Sequence, residues 1–100
     1  MSVYAASKTA IRSLARSWAA ELVDRNIRVN VIAPGVTETP GLADLFSGSG
    51  DALADLTSSI PMKRRAAPEE IGGVVTFLAS STSSFMTGSE IYVDGGASQL

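Results

Sequence analysis

Ile27-Arg28-Val29-Asn30-Val31-Ile32-Ala33-Pro34-Gly35 is an apolar run interrupted by Arg28 and Asn30 and stopped by a Pro-Gly pair. Such a run, without strict alternation of apolar and polar residues, suits a parallel strand covered on both faces, and it predicts a strand over 27–33. Ligands of open α/β sheets bind beyond the carboxyl ends of the strands, so residues 34–40 fall where a ligand would sit. Pro-Gly is also a common strand terminator with no ligand role, and both readings stand at this level.

Working outward, Tyr4, Lys8, Ile11, Ala15, Trp18 and Leu22 recur at helical spacing and predict one long helix over 2–24, with Arg12, Arg16 and Asp24 off its stripe. Lys8 is the anomaly on that stripe: it either snorkels to solvent or points into a cofactor cleft. Residues 41–62 keep neither period for long and read as two short helices around Gly48-Ser49-Gly50, a loop tip. Lys63-Arg64-Arg65 reads as the solvated end of a loop. Pro68, with Glu69 and Glu70 beside it, starts a helix that runs to about Ser80 with Ile71, Val74, Val75 and Leu78 on one face. Gly72-Gly73 inside that helix hints at close packing against another backbone. Ser81 to Ser84 is a polar connection, and Ile91-Tyr92-Val93 is a strand parallel to the first, ended by Asp94-Gly95-Gly96. Helix, strand, short helices, helix, strand is an α/β order.

Tyr4-Ala5-Ala6-Ser7-Lys8 carries the chemistry. Four residues is just over one helical turn, which puts the phenol and the ammonium on one face. A phenol of ordinary pKa near ~10 is a poor proton-transfer group at neutral pH. An ammonium about 5 Å away, at an effective dielectric of ~20, favours the phenolate by roughly 3 kcal/mol and brings it toward the working range. The pair alone is a weak signal, because Tyr and Lys at this spacing occur on many helices.

Composition narrows the rest. The 100 residues contain no cysteine and no histidine, which excludes disulfides, thiolate or imidazole metal sites and Ser-His-Asp chemistry within the chain. Eight basic residues and a net charge of −2 do not fit a nucleic-acid binder. No apolar run reaches the ~18 residues of a membrane span, and there is no secretory signal pattern, so the cytoplasm is the expected compartment. Charged residues make up 18%, below the roughly one quarter usual for a soluble domain, and some apolar surface is therefore expected to face neighbours.

Tyr4 through Lys8, Arg28 to Gly35, Thr39-Pro40, Pro68-Glu69-Glu70-Ile71, Phe77 to Ser80, Thr87-Gly88 and Val93-Asp94-Gly95-Gly96 together resemble, in order and spacing over residues 2–97, the C-terminal part of a classical short-chain dehydrogenase/reductase. The resemblance implies the C-terminal portion of a Rossmann-like doubly wound parallel sheet. Residues 1–100 would then be one partial domain, without the dinucleotide-binding half that carries the Gly-rich turn and the catalytic serine. Gly48-Ser49-Gly50 lacks the third glycine of such a turn and follows no strand, and Ser2 and Ser7 are too close to Tyr4 to replace that serine.

By the same resemblance, Tyr4 exchanges the substrate hydroxyl proton, and Lys8 lowers its pKa and binds the nicotinamide ribose. The Pro34-Gly35 loop receives the carboxamide through the Thr37 N–H and the Thr39 hydroxyl, and residues 41–62 form a substrate-covering lid. The implied function is hydride transfer between NAD or NADP and a carbonyl or alcohol substrate in a homo-oligomeric enzyme, with this chain inactive alone. The alternative, of a different class, is a non-catalytic fragment that acts as a self-association or interaction module.

Overall fold

The computed structural model describes residues 2–100. Helix α1 (Ser2–Leu22) opens the chain, as its freedom from Pro and Gly allows, and passes into a 3₁₀ turn over Val23–Arg25. Asn26, at φ 57°, ends that turn in the left-handed region, which Asn tolerates better than most residues. Strand β1 (Val31–Pro34) follows, then α2 (Pro40–Leu45), α3 (Gly50–Ser59), α4 (Pro68–Ala79), a second 3₁₀ turn (Ser81–Ser83) and β2 (Glu90–Val93). The two strands pair with each other. The Val31 N–H donates to Ser89 O and the Gly35 N–H to Val93 O, each at 2.9 Å, so both strands advance together and the small sheet is parallel.

Two compact units make up the chain. The first contains the segment up to Ile32 and Thr76–Ile91; the second contains Ala33–Val75 and Tyr92–Leu100.

In the first unit the strand begins at Val31 rather than at Ile27, because Arg28, Val29 and Asn30 are occupied by the turn that precedes β2. The Arg28 guanidinium donates to the carbonyls of Leu78 (2.8 Å), Ser83 (2.9 Å) and Met86 (3.2 Å), which caps the C-terminal end of α4 and holds the turn behind it. The Asn30 amide donates to Met86 O and accepts from the Ser89 N–H, and the Thr87 hydroxyl accepts from the Val29 N–H. The two residues that break the apolar run are therefore its anchors. Ser83, 1% exposed, sits inside this knot.

The expected apolar stripe of α1 is its buried edge only in part. Ala15 of the stripe is buried together with Ala19 off it, whereas Ile11 and Trp18 of the stripe are about half exposed, as is Leu14. Arg12, off the stripe, reaches Glu90 of β2, with Nε 2.7 Å from Oε1. That ion pair is partly exposed and contributes at most ~1 kcal/mol.

In the second unit, helix α2 starts on Pro40 with the Thr39 hydroxyl accepting from the Leu42 N–H at 3.1 Å. Gly48, at φ 77°, separates α2 from α3, as the sequence indicates. At α4 the Glu70 carboxylate accepts from the Ala67 N–H at 2.9 Å, closing the first turn. Gly72 and Gly73 have open space where a β-carbon would stand, so the expected close backbone approach there is not found. The close approach is made by Gly35 instead, whose β-carbon would lie 2.7 Å from Asp94 Cα.

Lys63-Arg64-Arg65 is likewise not a merely solvated loop end. Arg64 forms a two-pronged pair with Glu70 at 2.8 and 2.9 Å, and Arg65 pairs with Glu38. Arg64 and the Ala67 amide hold the Glu70 carboxyl down at about 2.

Candidate active site

Tyr4 and Lys8 stand one turn apart near the start of α1, and the Lys8 ammonium lies 5.3 Å from the centre of the Tyr4 ring. The expected juxtaposition of phenol and ammonium is present. Tyr4 is 60% exposed, and Lys8 is exposed as well. The Tyr4 carbonyl is taken by the Ser7 hydroxyl at 2.7 Å, which occupies Ser7 locally.

Pro34, Gly35, Thr37 and Thr39 lie in the second unit, Pro34 as the last residue of β1 and the other three just beyond it. The Glu38 N–H donates to Ala66 O and the Ala66 N–H donates to Val36 O, both at 2.9 Å. This single parallel bridge uses the backbone groups of residues 36 and 38, and alternation along an extended chain turns the Thr37 N–H to the other side. The loop thus presents the Thr37 N–H while its own geometry is fixed from behind. The Thr37 hydroxyl donates to Gly35 O at 3.0 Å, which tightens the turn. The Thr39 oxygen already caps α2, and its hydroxyl hydrogen is not used by that bond.

Behind the loop, the Asp94 carboxylate accepts from the N–H groups of Gly96 and Ser98, each at 3.0 Å. Hydrogen bonding from the Ser98 side chain and these amides holds its pKa below the ordinary value. Gly95 and Gly96 take φ values of 64° and 90°, and this turn is where their lack of a side chain is needed. A cleft of about 290 Å³, lined by Val36, Ile60, Met62, Arg64, Tyr92 and Asp94 among others, lies in the same unit; neither Thr37 nor Thr39 lines it.

Arg28, Asn30 and Arg65 anchor neighbouring segments, a part that no spacing along the chain assigns them. The first two carried a signal, since polar residues inside a buried run need partners. Arg65 carried none, because its partners Glu38 and Thr57 lie 27 and 8 residues away on other segments. Among the described residues no three acidic side chains gather where they could hold a metal, and no helix is long and apolar enough to cross a membrane.

Residues 1–98 match the family model described as enoyl-(acyl carrier protein) reductase. An oxidoreductase of Sarocladium schorii is 49% identical over 100 residues, covering all of this chain and 39% of that protein. A 3-oxoacyl-(acyl-carrier-protein) reductase of Thermotoga maritima is 46% identical over 93 residues, covering 93% of this chain and 37% of its own length. Among solved structures, one from Beutenbergia cavernae, described as an NAD(P)-dependent gluconate 5-dehydrogenase and containing NADP at low occupancy, superposes with a TM-score of 0.89 at 39% identity. The match takes in 97% of this chain and 39% of that one. The chain belongs to the short-chain dehydrogenase/reductase family and corresponds to its C-terminal part, with the α/β fold of its Rossmann-type relatives. It spans about two fifths of the length of the relatives it matches.

Proposed function

We propose that these residues supply the proton-transfer helix and the nicotinamide-end loop of an NAD(P)-dependent oxidoreductase acting on a carbonyl or alcohol. The observation that carries this reading is the Tyr4 phenol with the Lys8 ammonium over its ring, 5.3 Å from the centroid, on an exposed helix face. The hydride chemistry belongs to the nicotinamide cofactor. Tyr4 gives the hydroxyl proton in reduction and takes it in oxidation, and Lys8 stands beside it to bind the nicotinamide ribose. The Thr37 N–H and the Thr39 hydroxyl fit a planar amide, since one free donor and one rotatable hydroxyl stand two residues apart in a loop held by Ala66. Helices α2 and α3 serve as the lid over the substrate.

Residues 1–100 constitute a partial domain in this reading, and the dinucleotide-binding half with its Gly-rich turn and serine is needed for turnover. In an active enzyme containing these residues, Tyr4→Phe lowers kcat by about 10²–10⁴-fold while the unfolding midpoint stays within error, because only the proton-carrying oxygen is removed. Retention of more than about a tenth of kcat would refute proton transfer by this phenol. A second reading, a self-association module, draws on the exposure of Ile11, Leu14 and Trp18 along α1. Mass analysis of the purified sample distinguishes the two by showing whether a longer chain accompanies this one.

A further inference from the structure

The Arg65 side chain bonds both the loop holding Thr37 and Thr39 and the helix α3. Its Nε donates to Glu38 Oε1, and its Nη1 donates to the Thr57 hydroxyl at 2.7 Å. Glu38 lies between the two threonines, and its N–H is held by Ala66, the neighbour of Arg65. Thr57 lies in the last turns of α3, where its hydroxyl in turn donates to Leu53 O at 2.8 Å. The Arg65 side chain is about three-quarters buried, more so than Arg64 beside it, while Glu38 is about half exposed, so solvent screens the Glu38 arm of the fork and reaches the Thr57 arm less. The planar guanidinium offers donors on two edges at fixed angles, which is what two partners on different elements require; an ammonium cannot hold both in that geometry.

We propose that Arg65 is a positioning residue that couples helix α3 to the Thr37–Thr39 loop, so that displacement of the helix loosens the backbone donors the loop presents. The coupling is a property of this chain's own contacts and rests on the proposed function only for what the loop binds. A lid that moves away from its closed position would weaken the hold on the carboxamide, and a bound carboxamide would hold the lid down, since such a linkage runs in both directions.

Amide hydrogen exchange of the 100-residue chain without any cofactor tests the coupling, with the Glu38 amide as reporter. Thr57→Val, which keeps the side-chain shape and removes the hydroxyl, is expected to speed Glu38 exchange about fivefold while α1 amides stay unchanged. In an Arg65→Met background the same substitution is expected to leave Glu38 within twofold. If Arg65→Met also opens α1, Arg65→Lys replaces it as the background, and the effect of Thr57→Val must again vanish because lysine holds one partner at a time. Glu38 exchange unmoved by Thr57→Val in the native background, or equally accelerated in both backgrounds, would overturn the proposal. Neither result bears on the role of Tyr4, which is decided by turnover.

Discussion

A β-carbon on Gly35 would stand 2.7 Å from the Cα and 2.8 Å from the Cβ of Asp94, while the Gly35 N–H donates to Val93 O at 2.9 Å. The glycine after the first strand is thus required by the approach of the turn after the second strand, and its φ is not in the left-handed region. Gly35→Ala forces backbone against backbone and is expected to lower stability by about 2–3 kcal/mol, at the upper end of overpacking effects. Gly41, whose β-carbon would find nothing nearer than the Thr39 hydroxyl at 3.9 Å, is the matched control, and Gly41→Ala should be neutral or stabilising. Urea unfolding of the two variants checks the contrast.

Arg28 donates to four carbonyls from the end of α4 and the turn after it, those of Leu78, Ser80, Ser83 and Met86, and also meets the Ser83 hydroxyl at 3.2 Å. Arg28→Met keeps the stem and deletes the donors, so each of these part-buried carbonyls loses its charged partner and keeps a single neutral one or a weak pair, Met86 O the Asn30 amide and Ser83 O the Met86 N–H. A loss of about 2–4 kcal/mol is expected. Arg28→Lys should recover only a minor part, because one ammonium cannot span the set. The urea midpoint, read with unchanged m-value, is the measure.

Glu70 titrates at about 2 in the folded chain, against an ordinary glutamate value near ~4.3 in the unfolded one. A lowered folded-state pKa means that the ionised form stabilises the fold. That contribution is complete above about pH 5 and disappears as the pH falls toward 2. Glu70→Gln is therefore expected to be less stable than the native chain at pH 6 and equal to it near pH 2. Thermal unfolding across that range tests it; a gap that widens on acidification would contradict the assignment of Arg64 as the partner.

Among the described residues the sheet has two strands, each with one edge unpaired, and Ile11, Trp18 and Phe85 are exposed. Unpaired edges and apolar faces invite other chains. The isolated 100 residues are expected to self-associate in a concentration-dependent way, measured by sedimentation from micromolar to hundreds of micromolar. A single ordered monomer throughout would show that the small core suffices.

Spacing along the chain was enough to locate α1, the break at Gly48, the start of α4 at Pro68 and both strands, because periodicity, proline and glycine act within a few residues. The pairing of Tyr4 with Lys8 was legible for the same reason, being one helical turn. Which face of α1 is buried was legible only in part: Ala15 of the stripe is buried, but its companion is the small Ala19 off the stripe, while the larger Ile11 and Trp18 stay half exposed. Nor could spacing tell that Gly35 rather than Gly72 or Gly73 meets another backbone, or that Arg28 and Arg65 find partners some fifty and twenty-seven residues away. Those relations depend on where separate segments meet in space, and the hydrogen-bond needs of a polar side chain say that a partner must exist without saying which one.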